Sequence, residues 1–212
     1  MAAEVRSRIG LWSAVAVAAS GLAYLGALAM GFASLVSADD PIADPWFLIL
    51  ELLILIQMPA LVLLFAAIHD QAPREVRSLT LAALAFATAL AVLTSLLHFA
   101  ILTLGRNELI QQQDWFAPVF GFVWPSFAYA VDILAWDLFF PLAMFCAAPA
   151  FGGDAAGRSI RALMLVSGGL ALAGLAGVPT GDMSLRNIGI LGYAVVFPLA
   201  AILIARKFAR TV

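Results

Sequence analysis

The chain has 212 residues, 64% of them hydrophobic and 11% charged, with a mean hydropathy of +1.04, a composition that belongs in a lipid bilayer. Six spans of about 20 residues each would use most of it, so one membrane domain over residues 1–212 is expected, with no room for a separate soluble domain. A formal charge of −2 with one lysine, Lys207, excludes a basic nucleic-acid surface, and one cysteine, Cys146, excludes an internal disulfide, a CxxC pair and thiolate or iron–sulfur clusters.

The first apolar run, Leu11–Ser37, follows Arg6 and Arg8. Val36-Ser37-Ala38 before Asp39-Asp40 resembles a signal-peptide cleavage site, yet the run of 27 residues far exceeds the core of about 7–15 in a signal peptide, so a retained helix is expected. No lipidation signature is present, since Ala2 replaces the required glycine and the C-terminus lacks a prenylated cysteine. Its small residues Ala19, Ala23 and Ala27 recur every fourth position, a stripe that lets helix backbones approach and is read as holding the bundle together. After the acidic loop of Asp39, Asp40 and Asp44 comes Trp46–Ile68, carrying Glu51, Gln57 and Pro59. The third run, Leu79–Leu104, carries Thr94, Ser95 and His98. Residues 109–124 then hold Trp115, Phe116, Phe120, Phe122 and Trp124, broken by Pro118 and Gly121. Such rings gather at the membrane–water interface, so an interfacial or re-entrant segment is expected, serving as an anchor or a lid. The fourth run, Pro125–Phe151, holds Tyr129, Asp132, Asp137 and Pro141. The fifth, Ile160–Val178, repeats Gly169, Ala173 and Gly177, and the sixth, Asn187–Ala205, contains Pro198.

In lipid every backbone polar group needs an internal partner, so these runs predict an all-α polytopic bundle of six spans. Nine of the eleven basic residues fall in the N-terminus, the second and fourth loops and the C-terminus, and only Arg106 and Arg186 fall in the other loops. That bias predicts both termini in the cytoplasm. A multi-pass protein of a bacterial inner membrane fits this reading.

Ionisable groups within a span cost about 2.5–3.5 kcal/mol each on insertion scales and are candidates for function by default. Four occur here: Glu51, His98, Asp132 and Asp137. At 1.5 Å per residue, Glu51, His98 and Asp132 lie roughly 8–10 Å below the outer boundary on three different helices, and Asp137 roughly 18 Å below it. Gln57, Ser95 and Tyr129 complete the candidate cavity, with Ser95 and Thr94 one turn from His98 and able to bond it. Pro141 has no N–H to offer the carbonyl of Asp137; Pro59 and Pro198 likewise free those of Leu55 and Ala194.

Several chemistries are disfavoured. A bis-histidine haem cannot be held by His69 and His98, which lie at opposite ends of consecutive spans. Retinal needs an intramembrane lysine, and none is present. A metal would have to use His98, Glu51 and Asp132, which lack any HExxH-type pattern. Ser126, His98 and Asp132 can be drawn as a triad, but without a GxSxG context. Three functions stay open: binding or transport of a proton, cation or small amphiphile in a cavity of the outer half; an enzyme acting on a lipid or other apolar substrate, with His98 as acid or base; and a structural or assembly subunit. The partners expected are the lipid bilayer, a lipid or small amphiphile ligand, and a homodimer or membrane-complex partner.

Overall fold

The computed structural model describes residues 2–37 and 40–211. Ala38 and Asp39, part of the cleavage-like sequence and the acidic loop, lie outside the described residues. Six helices are long and apolar enough to cross a membrane: α1 (Ala2–Ala33), α2 (Trp46–Gln71), α3 (Arg77–Thr103), α4 (Phe127–Ala150), α5 (Ala155–Thr180) and α6 (Met183–Ala209). Their outer surface is apolar, with Ile56 66% and Leu96 67% exposed, while Glu51, His98, Asp132, Asp137 and Arg186 are all buried. A surface of this kind suits lipid rather than water.

Each helix packs on its neighbours in chain order, and α6 closes the ring against α1. Consecutive helices pack side by side and alternate in direction, so α2, α4 and α6 run one way and α1, α3 and α5 the other. Both chain ends lie at the same end of the bundle: the Ser7 hydroxyl accepts from Gln71 Nε2 at 3.2 Å and from Thr211 Oγ1 at 3.1 Å. Lys207 pairs there with Asp154 at 3.7 Å. The opposite, distal end carries the first loop and residues 104–126.

Helix boundaries follow local chemistry. Asp154 caps α5, its carboxylate accepting the Gly157 N–H at 2.7 Å, which holds its carboxyl below the usual carboxylate range. Because that shift is downward, the cap is complete above the ordinary carboxylate pKa and weakens as the pH falls through the lowered one. Gly181, at φ +72°, ends α5 in the left-handed conformation that glycine adopts without strain. The Asp182 side chain then accepts the Ser184 N–H at 3.0 Å and starts α6.

Three features differ from the sequence reading. α1 ends at Ala33 rather than Ser37. The stripes of small residues mostly face outward, with Gly169, Ala173, Ala19 and Ala23 exposed; the bundle is packed instead through Gly168, Ala171 and Gly174 on α5 and Ala14, Val17 and Ala18 on α1. A period of four drifts around a helix of 3.6 residues per turn, so spacing alone misplaces the stripe. α6 begins four residues before the apolar run, at Met183, and takes in Arg186.

The prolines act unequally. The tetrapeptide Phe-Pro-Leu-Ala occurs at 140–143 in α4 and 197–200 in α6, and each copy follows a six-residue π-helical segment, Leu134–Phe139 and Leu191–Val196. Widening the turn takes up the missing proline donor and the clash of its ring with the preceding carbonyl. α2 stays α-helical through Pro59.

Candidate functional site

The widened turns hold polar side chains inside the ring. Asp137 sits within the π segment of α4 and is wholly buried. Its Oδ2 accepts from Arg186 Nε at 3.1 Å, and Arg186 Nη2 also donates to Asp132 Oδ2. The same guanidinium lies over the Tyr129 ring, 4.5 Å from its centroid. Asp132 Oδ1 stands 3.6 Å from His98 Nε2, and His98 Nδ1 meets Glu51 Oε2 at 2.7 Å. A continuous polar chain, Glu51–His98–Asp132–Arg186–Asp137, thus joins α2, α3, α4 and α6.

Space for it is made by glycine. A Cβ at Gly189 would fall 2.6 Å from Asp137 Oδ1, and one at Gly174 would fall 3.2 Å from it. Gly189→Ala is therefore expected to push Asp137 away from Arg186 at an overpacking cost of about 1–3 kcal/mol. Thermal unfolding in detergent checks this; an unchanged melting temperature would mean that the carboxylate has room to move.

The equal depth of Glu51, His98 and Asp132 becomes direct contact in the structure, and Tyr129 joins them through Arg186. Gln57 is buried on α2 and Ser95 is half-buried on α3, but among the described residues the hydrogen bonds of the cluster reach neither. His98 does not bond Ser95 or Thr94, because both ring nitrogens face carboxylates. Ser126 is no nucleophile here: its hydroxyl donates to the Gly121 carbonyl and accepts the Tyr129 N–H at 3.1 Å, capping α4. Glu51 and Asp132 lie on opposite nitrogens of His98, so the three do not converge on a point, and among the described residues no group of three ligands is placed to hold a metal.

Arg186 is the residue the sequence reading missed. Hydropathy places it in a loop, whereas it is 5% exposed and bridges two carboxylates. Gly181-Asp182 was the available signal: a left-handed stop followed by a helix cap sets the start of α6 before Arg186, not after it.

Charge is unbalanced. Three carboxylates against one guanidinium leave two negative charges when His98 is neutral. Buried net charge is costly, so neutrality calls for two bound protons or an equivalent cation. A proton on each nitrogen of His98 would let the ring donate to Glu51 at 2.7 Å and set its positive edge 3.6 Å from Asp132, beyond hydrogen-bond length.

The cluster is sealed towards the termini. Met58, Leu61, Phe65, Leu90, Phe140 and Phe197 fill that half of the ring, each no more than 1% exposed. From Met58 to Ile68 this apolar packing extends roughly 15 Å along α2. Towards the distal end the cover is thinner. Phe122, from the aromatic segment, has its ring 6.2 Å from that of His98 and 5.5 Å from that of Tyr129. Beyond it opens a cavity of about 520 Å³ between the first loop, the end of α3 and the two short helices Glu108–Gln111 and Phe116–Phe120. Compared with protein-family models, with curated proteins and with solved structures, the chain matches none.

Proposed function

We propose that this membrane protein is a proton-exchanging binding protein, whose buried cluster takes up and releases protons on the distal side according to what occupies the cavity above it. The observation that carries the reading is His98 set between Glu51 and Asp132, at 2.7 Å and 3.6 Å, within a cluster whose carboxylates outnumber its guanidinium. Only histidine changes charge near neutral pH without a large perturbation. Carboxylates and histidines buried in membranes serve proton relays. The apolar packing towards the termini favours exchange with one side over conduction across the bundle. With the basic loops in the cytoplasm, that side is the outer one.

Infrared difference spectra between about pH 5 and about pH 10 test this. A carboxylic-acid C=O band is expected to appear on acidification and to be diminished in Asp137→Asn, the carboxyl that is wholly buried with one oxygen unpartnered among the described residues. A spectrum identical in wild type and that variant would refute the reading. A second expectation concerns sidedness. In sealed vesicles, a cysteine placed at Asp40 or Asp182 should react with an impermeant reagent from the outer face, and protection of either would reverse the orientation.

A further inference from the structure

We propose that the distal cavity is a binding site for a lipophilic organic cation, whose positive charge exchanges with the protons of the buried cluster. This rests on the proton-exchange reading above and assigns its ligand class.

The cavity is built directly onto the cluster. Phe47 in its wall lies one helical turn before Glu51 on α2, and Ile101 lies one turn after His98 on α3. Phe122 forms the partition between cavity and imidazole. Its volume falls within the range of about 300–1,000 Å³ that accepts drug-sized ligands. Apolar area dominates the wall, which takes in four aromatic side chains: Phe47, Phe116, Phe120 and Phe122. Aromatic faces attract cations, above all those whose charge is spread over an apolar body and little hydrated.

The sign of the ligand follows from the charges around it. The wall carries Arg106 and Asp44, but these satisfy each other, with Arg106 Nη2 2.8 Å from each carboxylate oxygen. The field inside is then set by the groups behind Phe122. Facing one another there are Glu51 from α2, His98 from α3, Asp132, Asp137 and Tyr129 from α4, and Arg186 from α6. Tyr24 of α1 and Tyr193 of α6 stand near them, and α5 contributes the glycine surface at Gly174. Their sum is negative whenever fewer than two protons are bound. A cation above Phe122 favours that deprotonated state, and by linkage deprotonation tightens the cation. An anion of the same shape would meet the opposite field.

Two ions of nearly identical shape and opposite charge, tetraphenylphosphonium and tetraphenylborate, provide the test on the full chain in detergent. Tetraphenylphosphonium is expected to bind at least tenfold more tightly than tetraphenylborate. Its affinity should rise with pH by up to about tenfold per unit for one coupled proton, with protons released to a weakly buffered solution on binding. Phe120→Ala, in the cavity wall and outside the cluster, should weaken it several-fold. Equal or stronger binding of tetraphenylborate would overturn the charge assignment, and failure of both ions to bind would overturn the site. Binding of the cation without pH dependence or proton release would overturn the coupling. The infrared measurement without ligand separates the two proposals. An acid C=O band with no cation binding removes the ligand and leaves proton exchange, whereas binding with no such band removes proton exchange.

Discussion

Arg186→Met is expected to cost about 3–5 kcal/mol of stability, the largest effect of any single substitution in the bundle. The cost arises from what remains. Asp132 and Asp137 each lose a charged partner, in a place where Asp137 is wholly buried and Asp132 nearly so. Asp137 Oδ1 already has no hydrogen-bond partner among the described residues, so losing Arg186 strips that carboxylate of its remaining one. Combining Arg186→Met with Asp132→Asn and Asp137→Asn should recover most of the loss, since amides carry no charge to leave unpaired. Arg186→Lys should fall between, because an ammonium's three donors radiate from one atom and cannot reach the two carboxylates from separate nitrogens as Nε and Nη2 do. Denaturation of the purified variants orders them. Wild-type stability in Arg186→Met alone would mean that the bridge contributes nothing.

Arg186 also marks where the sequence was legible and where it was not. Run length and hydropathy located six helices, because a 20-residue apolar segment has few alternatives in lipid. Depth along each helix brought Glu51, His98 and Asp132 to one level, because the helical rise is fixed. What depth leaves open is azimuth, which is why the sequence groups Gln57 and Ser95 with a cluster whose hydrogen bonds reach neither among the described residues. Arg186 escaped for a different reason: hydropathy places a helix end where apolar residues stop, while the cap at Asp182 places it where the backbone turns. The three carboxylates of the second and fourth spans have no counter-charge among the apolar runs, and that imbalance is itself a sign that a cation lies inside the bundle rather than in a loop. The aromatic segment was ambiguous because rings that anchor a chain at an interface and rings that cover a polar site have the same composition; Phe122 against His98 and Tyr129 is a tertiary fact.

His98→Leu is expected to be the second most damaging change, and its rescue separates structure from function. Leucine would leave Glu51 facing apolar packing with its 2.7 Å partner gone, at several kcal/mol for a buried charge stripped of its pair. Asp132 would keep Arg186 and be less affected. Removing the stranded carboxylate as well, in Glu51→Leu/His98→Leu, should return stability close to wild type, since a buried pair replaced by apolar side chains of similar volume is often neutral or stabilising. The double variant should nevertheless take up about one proton fewer between about pH 5 and about pH 10 by difference titration. It should also lose the pH dependence of tetraphenylphosphonium binding while keeping the aromatic cavity that binds it. A folded double variant with wild-type proton uptake would place the exchanging protons elsewhere and leave Glu51 and His98 with a structural role alone. Stability restored together with loss of the pH dependence of cation binding is the combination that a purely structural pair cannot produce, because the protonation of such a pair would be indifferent to what fills the cavity.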